Sequence, residues 1–159
     1  MTDAVGSVGQ LRAQRRQLQQ QEDTVSFVRR LTQGRLDLVL DEQRRRERGG
    51  DEPVGTISER LAEVFGQQQG GGSARPPRET IVPTDHPLMK QLDELCEQFE
   101  FAQIDTLSDA DLRQLRDALQ LFEQSCSQQR HALFEQIDAL TAQLVAQIKE
   151  QGVEGVIER

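Results

Sequence analysis

The sequence predicts an all-helical protein whose two long helices form an antiparallel coiled coil, with shorter helices and a flexible linker between them. Three observations predict it. Apolar material is scarce: hydrophobic residues are 35%, aromatics 4% and charged residues 29%, with no Trp and no Tyr. That composition cannot fill a thick globular core, but it suits long helices sharing a narrow seam. Runs of β-branched residues are short and scattered, so strand signals are almost absent. Finally, apolar residues recur near heptad spacing over two separate stretches.

Taken in order, residues 1–8 read as a disordered N-terminus. Residues 9–48 form the first long helix, with a seam of Leu11, Leu18, Val25, Val28, Leu36 and Val39. Gly49 and Gly50 end it, and Pro53 lies just beyond. Residues 49–86 hold a short helix and a linker. Thr56 caps that helix and Glu59 closes a capping box, while the run QQQGGGSARPPRE is flexible by composition. Pro87 opens a third helix, 87–107, whose inner face is Leu88, Leu92, Leu95, Phe99 and Ile104. Ser108 with Asp111 is a second capping signal, and the second long helix runs over 108–152. Its seam is Leu112, Leu115, Leu119, Phe122, Cys126, Gln129, Leu133, Ile137, Leu140, Leu144 and Ile148, with Gly152 as its stop. At 159 residues this is one domain by length.

Charge limits what the chain can bind. The net charge is −8. Residues 1–48 hold ten Arg and seven acids, whereas the rest holds nine basic residues and twenty acids. Direct DNA binding needs a positive field that such a chain lacks. The basic run RRRER at 44–48 reads as a solvated helix end, where cations suit the dipole. No apolar stretch is long enough to cross a membrane, and the N-terminus has no signal-peptide core. Cys96 and Cys126 stand far apart, without CxxC or a His cluster, so they read as reduced thiols of a cytoplasmic protein and not as a metal site.

The feature with chemical content is a repeat. Glu22, Ser26, Arg29, Gln33 and Asp37 recur as Glu123, Ser127, Arg130, Phe134 and Asp138, at an offset of 101 residues with the same spacing. Leu11, Arg12, Arg15, Leu18 and Gln19 match Leu112, Arg113, Arg116, Leu119 and Gln120 at the same offset. Duplicated helices explain this most simply. On a helix, steps of four, three, four and four keep each set within about 80° of arc. Each copy is one polar stripe flanking the apolar seam. In an antiparallel pair, Glu22 is expected near Asp138 and Glu123 near Asp37, with Arg29 and Arg130 central.

The stripe differs from an ordinary solvated face, which favours Glu and Lys at four-residue spacing. Carboxylates accept from the donor edge of guanine, while Arg meets guanine O6 and N7, or phosphate, with a two-pronged fork. A two-fold symmetric cyclic guanine dinucleotide would satisfy both copies. The alternative is a structural coiled-coil scaffold whose stripe is only inter-helix salt bridges.

The duplicated spacing Glu-x3-Ser-x2-Arg-x3-Gln-x3-Asp, together with SFVRRLTQGRLDLV around the first copy, resembles the RsiG family of actinobacterial anti-sigma factors. The resemblance covers the two long helices. It implies an antiparallel coiled coil that binds cyclic di-GMP, as two molecules, and holds a WhiG-like sigma factor of sporulation. By position, the ligand residues would be Glu22, Ser26, Arg29, Gln33 and Asp37, with Glu123, Ser127, Arg130, Phe134 and Asp138. Phe134 departs from the pattern: it can stack on a guanine, but it cannot replace the hydrogen bonds of Gln. Catalysis is not expected. His86 and His131 have no HExxH or triad-like surroundings, and GGGSAR lacks the Lys of a phosphate-binding loop.

Overall fold

The computed structural model describes residues 7–49 and 85–157, with side chains through 152. The expected short helix at 56–66 and the linker lie outside the described residues, as do residues 1–6. Helix α1 spans Val8–Glu47, α2 spans Pro87–Gln98, a single 3₁₀ turn spans Phe101–Gln103, and α3 spans Asp109–Ile157. There is no strand among the described residues. The three helices are those expected from the sequence, except that α3 runs through Gly152, its expected stop, to Ile157: a glycine is tolerated within a helix when nothing else breaks it. The expected third helix is shorter, because its last part is the 3₁₀ turn.

Local chemistry sets the boundaries. Ser7 caps α1 in a capping box: its Oγ accepts from the Gln10 amide at 3.3 Å, and Gln10 Oε1 accepts from the Ser7 amide at 2.8 Å. Gly49 ends α1 at φ +94°, a conformation cheap only for glycine. At α2, Pro87 occupies the first turn and His86 is the N-cap, its Nδ1 accepting from the Leu88 amide at 3.1 Å. Glu100, at φ 55°, turns the chain out of α2. Ser108 Oγ accepts from the Asp111 amide at 3.1 Å and starts α3.

The chain divides into two compact units. One joins residues up to 25 with residues from 128 onward; the other is residues 26–127. In each unit a segment of α1 runs antiparallel to a segment of α3. In the 26–127 unit, Arg29 meets Glu123 while Arg46 meets Asp109. In the other, Glu22 meets Arg130, and Gln14, Gln17, Leu18 and Gln21 line a cavity with Gln136, Ala139 and Leu140.

The 26–127 unit holds most of the core. Val28, Leu38, Val39, Leu92, Ile104, Leu112, Leu115, Leu119 and Cys126 are buried there. Helix α2 thickens it. Arg35 reaches Asp93 and the Cys96 sulfur, and its guanidinium lies 5.8 Å from the Phe101 ring centre. Leu38, one turn on from Arg35, is buried on the same side. In the other unit, Leu11, Val25 and Leu144 are buried, while Leu133, Ile137 and Leu140 are half-exposed. Gln129 and Ile148, expected in the seam, are exposed. A two-helix seam covers only one side of each residue, so its flanking positions stay wet.

Polar residues also occupy the α1 seam. Val25, Val28, Thr32, Val39 and Glu42 are all buried and keep heptad spacing if Arg35 fills the intervening step. Thr32 returns its hydroxyl to the Val28 carbonyl at 2.8 Å. Glu42, 1% exposed, accepts from Arg45 at 2.7 and 2.9 Å and from Arg46 at 2.9 Å. Arg46 continues to Asp109 at 2.8 Å and to the Ile104 carbonyl at 3.2 Å. This node ties the end of α1 to the start of α3.

The hydrogen bonds from Arg45, then from Arg46, hold the Glu42 carboxyl below its ordinary value, against the effect of burial. A depressed carboxyl contributes stability that is present above the ordinary pKa and lost as pH falls through the folded value. Glu42→Gln should therefore lower stability near neutral pH by about 1.5–3 kcal/mol, the range for hydrogen bonds to charged groups. The difference should shrink as pH drops below the ordinary value of 4.5. Denaturant melts at neutral and acid pH check both parts.

Candidate functional site

Both motif copies lie on long, unbroken helices, as their spacing requires. In the 26–127 unit, Arg29 Nε donates to Glu123 Oε1 at 2.9 Å and to Ser127 Oγ at 2.8 Å. Ser127 Oγ in turn donates to Glu123 Oε1 at 3.1 Å, and Gln33 Nε2 donates to the same oxygen at 3.3 Å. One carboxylate oxygen thus receives three donors, from both copies of the motif. The group is half-buried, so the charge-assisted bonds are partly shielded from water.

In the other unit the corresponding residues exchange roles. Arg130 Nε donates to Glu22 Oε1 at 3.2 Å. The Arg130 guanidinium also lies over the Phe134 ring, 4.8 Å from its centre, within cation–π range. Each arginine is therefore neutralised by the glutamate of the opposite copy. Gln33 assists in one case, and Phe134, at its equivalent position, assists in the other. The Arg130 side chain is 40% exposed and Phe134 is 37% exposed, so this pair is open to solvent.

The pairing differs from the expected register. Glu22 meets Arg130, two turns before Asp138, and Glu123 meets Arg29, two turns before Asp37. The expected register set carboxylate against carboxylate. The observed one sets opposite charges together, which Coulomb attraction favours. Ser26 is half-buried, while Asp37 and Asp138 are exposed. Partial desolvation, then the charge of Asp41, pushes the Asp37 carboxyl up, and Arg44 opposes this. Asp37 and Asp138 are thus not brought into the paired cluster.

Beneath the stripe lies Cys126, fully buried, its thiol pushed up to about 11 by burial and then by Glu123. Burial likewise raises the Cys96 thiol. Both cysteines are free. Among the described residues there is no cluster of His, Cys, Asp and Glu able to hold a metal ion, and no helix long and apolar enough to cross a membrane. Sequence reasoning missed Arg35, because its partners Asp93 and Cys96 come from α2: the apolar periodicity of Leu88 and Leu92 marks that helix's inner face but not which residue of α1 it meets. Glu42 had a signal: it falls on the continued heptad.

The RsiG-like family matches residues 4–65. Over these residues the chain is similar to that family. The match covers α1, which carries the first copy of the duplicated motif, and agrees with the resemblance read from the sequence; the second copy, on α3, lies outside the matched residues. No curated protein matches the chain.

Because Phe134 is exposed and stacks on Arg130 instead of entering the seam, Phe134→Gln should leave stability within about 0.5 kcal/mol, as for ordinary surface substitutions. A thermal melt without nucleotide reads this directly. A large drop would place Phe134 in the core.

Proposed function

We propose that this chain is an anti-sigma factor gated by cyclic di-GMP, with a WhiG-like sigma factor as its partner. The RsiG-like match suggests the anti-sigma role and a regulatory rather than enzymatic protein. The observation that carries the nucleotide reading is the reciprocal pairing of Arg29 with Glu123 and of Arg130 with Glu22. Two arginines are held in place by carboxylates, which are the groups that a phosphate would replace.

The mechanism is an exchange. Cyclic di-GMP brings two phosphates and two guanines. Its phosphates take the forks of Arg29 and Arg130, which phosphate accepts in bidentate fashion. The released carboxylates of Glu123 and Glu22, joined by Asp37 and Asp138, accept from the guanine donor edge. Ser26, Ser127 and Gln33 add neutral hydrogen bonds. Phe134 gives its copy a stacking face in place of an amide. Two nucleotides would answer the two copies. A ligand engaging both copies ties α1 to α3 and stabilises the form that the sigma factor recognises.

The same ion pairs would serve a structural scaffold. Their magnitude argues against that as their main role. Half-buried pairs that keep contact with solvent are worth on the order of 1 kcal/mol, too little to be the reason for a duplicated five-residue pattern.

Arg29→Ala and Arg130→Ala should each weaken cyclic di-GMP binding at least tenfold, since a charge-assisted fork is worth about 1.5–3 kcal/mol, while helicity stays unchanged. The sigma factor should bind at least tenfold more tightly to nucleotide-saturated protein, and by linkage it should tighten the nucleotide by the same factor. Calorimetry on wild type and variants checks these outcomes. A protein that ignores cyclic di-GMP is the scaffold. Equal sigma affinity with and without nucleotide removes the gating.

A further inference from the structure

Outside the motif, the unit containing both chain ends carries a groove with two unlike walls. Arg12, Arg15, Arg16 and Gln19 of α1 form one wall, and Thr141, Leu144, Val145 and Ile148 of α3 form the other. Each set follows i, i+3, i+4, i+7, so each is one continuous face of its helix. The groove encloses about 350 Å³. Leu144 floors it at 4% exposure, while Val145 and Ile148 remain 47% and 48% exposed. None of the three arginines makes an ion pair among the described residues. One wall is thus cationic and unneutralised, and the other is apolar and uncovered.

We infer that this groove docks an acidic amphipathic helix of a protein partner. Seven residues of helix span about 10 Å, so each wall presents two turns. A helix laid in a groove is anchored through side chains at the same i, i+3, i+4, i+7 spacing. Its apolar edge covers Val145 and Ile148, and its acidic edge meets Arg12, Arg15 and Arg16. That charge match also selects the orientation of the helix and speeds its capture. A membrane fits less well, because the apolar residues line a concave slot and not a convex face. A second copy fits less well, because two chains of net charge −8 repel each other. The inference stands independently of the nucleotide, since no groove residue belongs to either motif copy.

The test uses the full-length chain without nucleotide and a fluorescent synthetic peptide of three helical turns. The peptide carries leucines at i, i+3, i+4 and i+7 and glutamates along one flank; a second peptide replaces those glutamates with lysines. Anisotropy should show saturable binding of the Glu peptide, at least tenfold tighter than the Lys peptide. Arg12→Glu, Arg15→Glu and Arg16→Glu combined should reverse that preference, and Val145→Asp should weaken both peptides at least tenfold. Arg12, Arg16 and Val145 are exposed and Arg15 is half-buried, and circular dichroism verifies that the helices persist. No saturable binding, equal affinity for the two peptides, or indifference to the substitutions overturns the proposal. So does sedimentation showing self-association that Val145→Asp abolishes, since a second copy is then the occupant. Pelleting with phosphatidylserine vesicles that Val145→Asp abolishes assigns the groove to a membrane and overturns it equally.

Discussion

Everything at the motif depends on one reciprocal exchange: each copy's arginine is held by the other copy's glutamate. Arg29 rests on Glu123 and Ser127, and Arg130 rests on Glu22. The exchange selects the register of the antiparallel pairing near the motif, because a shift of two turns would bring carboxylates together. It also fixes the arginines on the stripe, each beside a carboxylate that a phosphate would replace in the proposed exchange. The pairs are weak enough to be displaced, and a strong structural clamp would defeat the proposed function.

That weakness is tolerable because stability is built elsewhere. The 26–127 unit is anchored by a buried apolar cluster, by α2, and by the Glu42 node that Arg45 and Arg46 complete. A buried carboxylate is costly unless its lone pairs are satisfied, and here both oxygens are. The unit joining the chain ends is thinner, with three buried apolar residues among those described. Its exposed side chains, Phe134 over Arg130 and the Val145–Ile148 face, are the surfaces proposed for binding. A narrow seam thus leaves reactive and adhesive faces open that a globular core would consume.

Much of this was legible in the sequence. The long helices, the Gly49 stop, Pro87 and the Ser108 cap follow from local rules and are all present. The Ser7–Gln10 capping box carries a weaker signal, because Val8 and Gly9 make a poor helix start by propensity. The motif stripe was legible as a periodicity, but its pairing was not: spacing along one helix says nothing about its partner's offset. The docking of α2 on Arg35 was also invisible, since Asp93 and Cys96 announce themselves only when the chain folds back. Seam positions such as Gln129 and Ile148 look apolar or neutral by pattern, yet two helices alone cannot bury them.

The most direct measurement is a double-mutant cycle on Arg29 and Glu123, using Arg29→Ala, Glu123→Ala and the double variant, with unfolding followed in the absence of nucleotide and at saturating cyclic di-GMP. Without nucleotide, the cycle should give a favourable coupling of about 0.5 kcal/mol or more, as residues in contact do. At saturation that coupling should vanish, because each side chain has turned to the ligand. A coupling of the same size in both conditions would show that the arginine never leaves its glutamate, and would contradict the exchange.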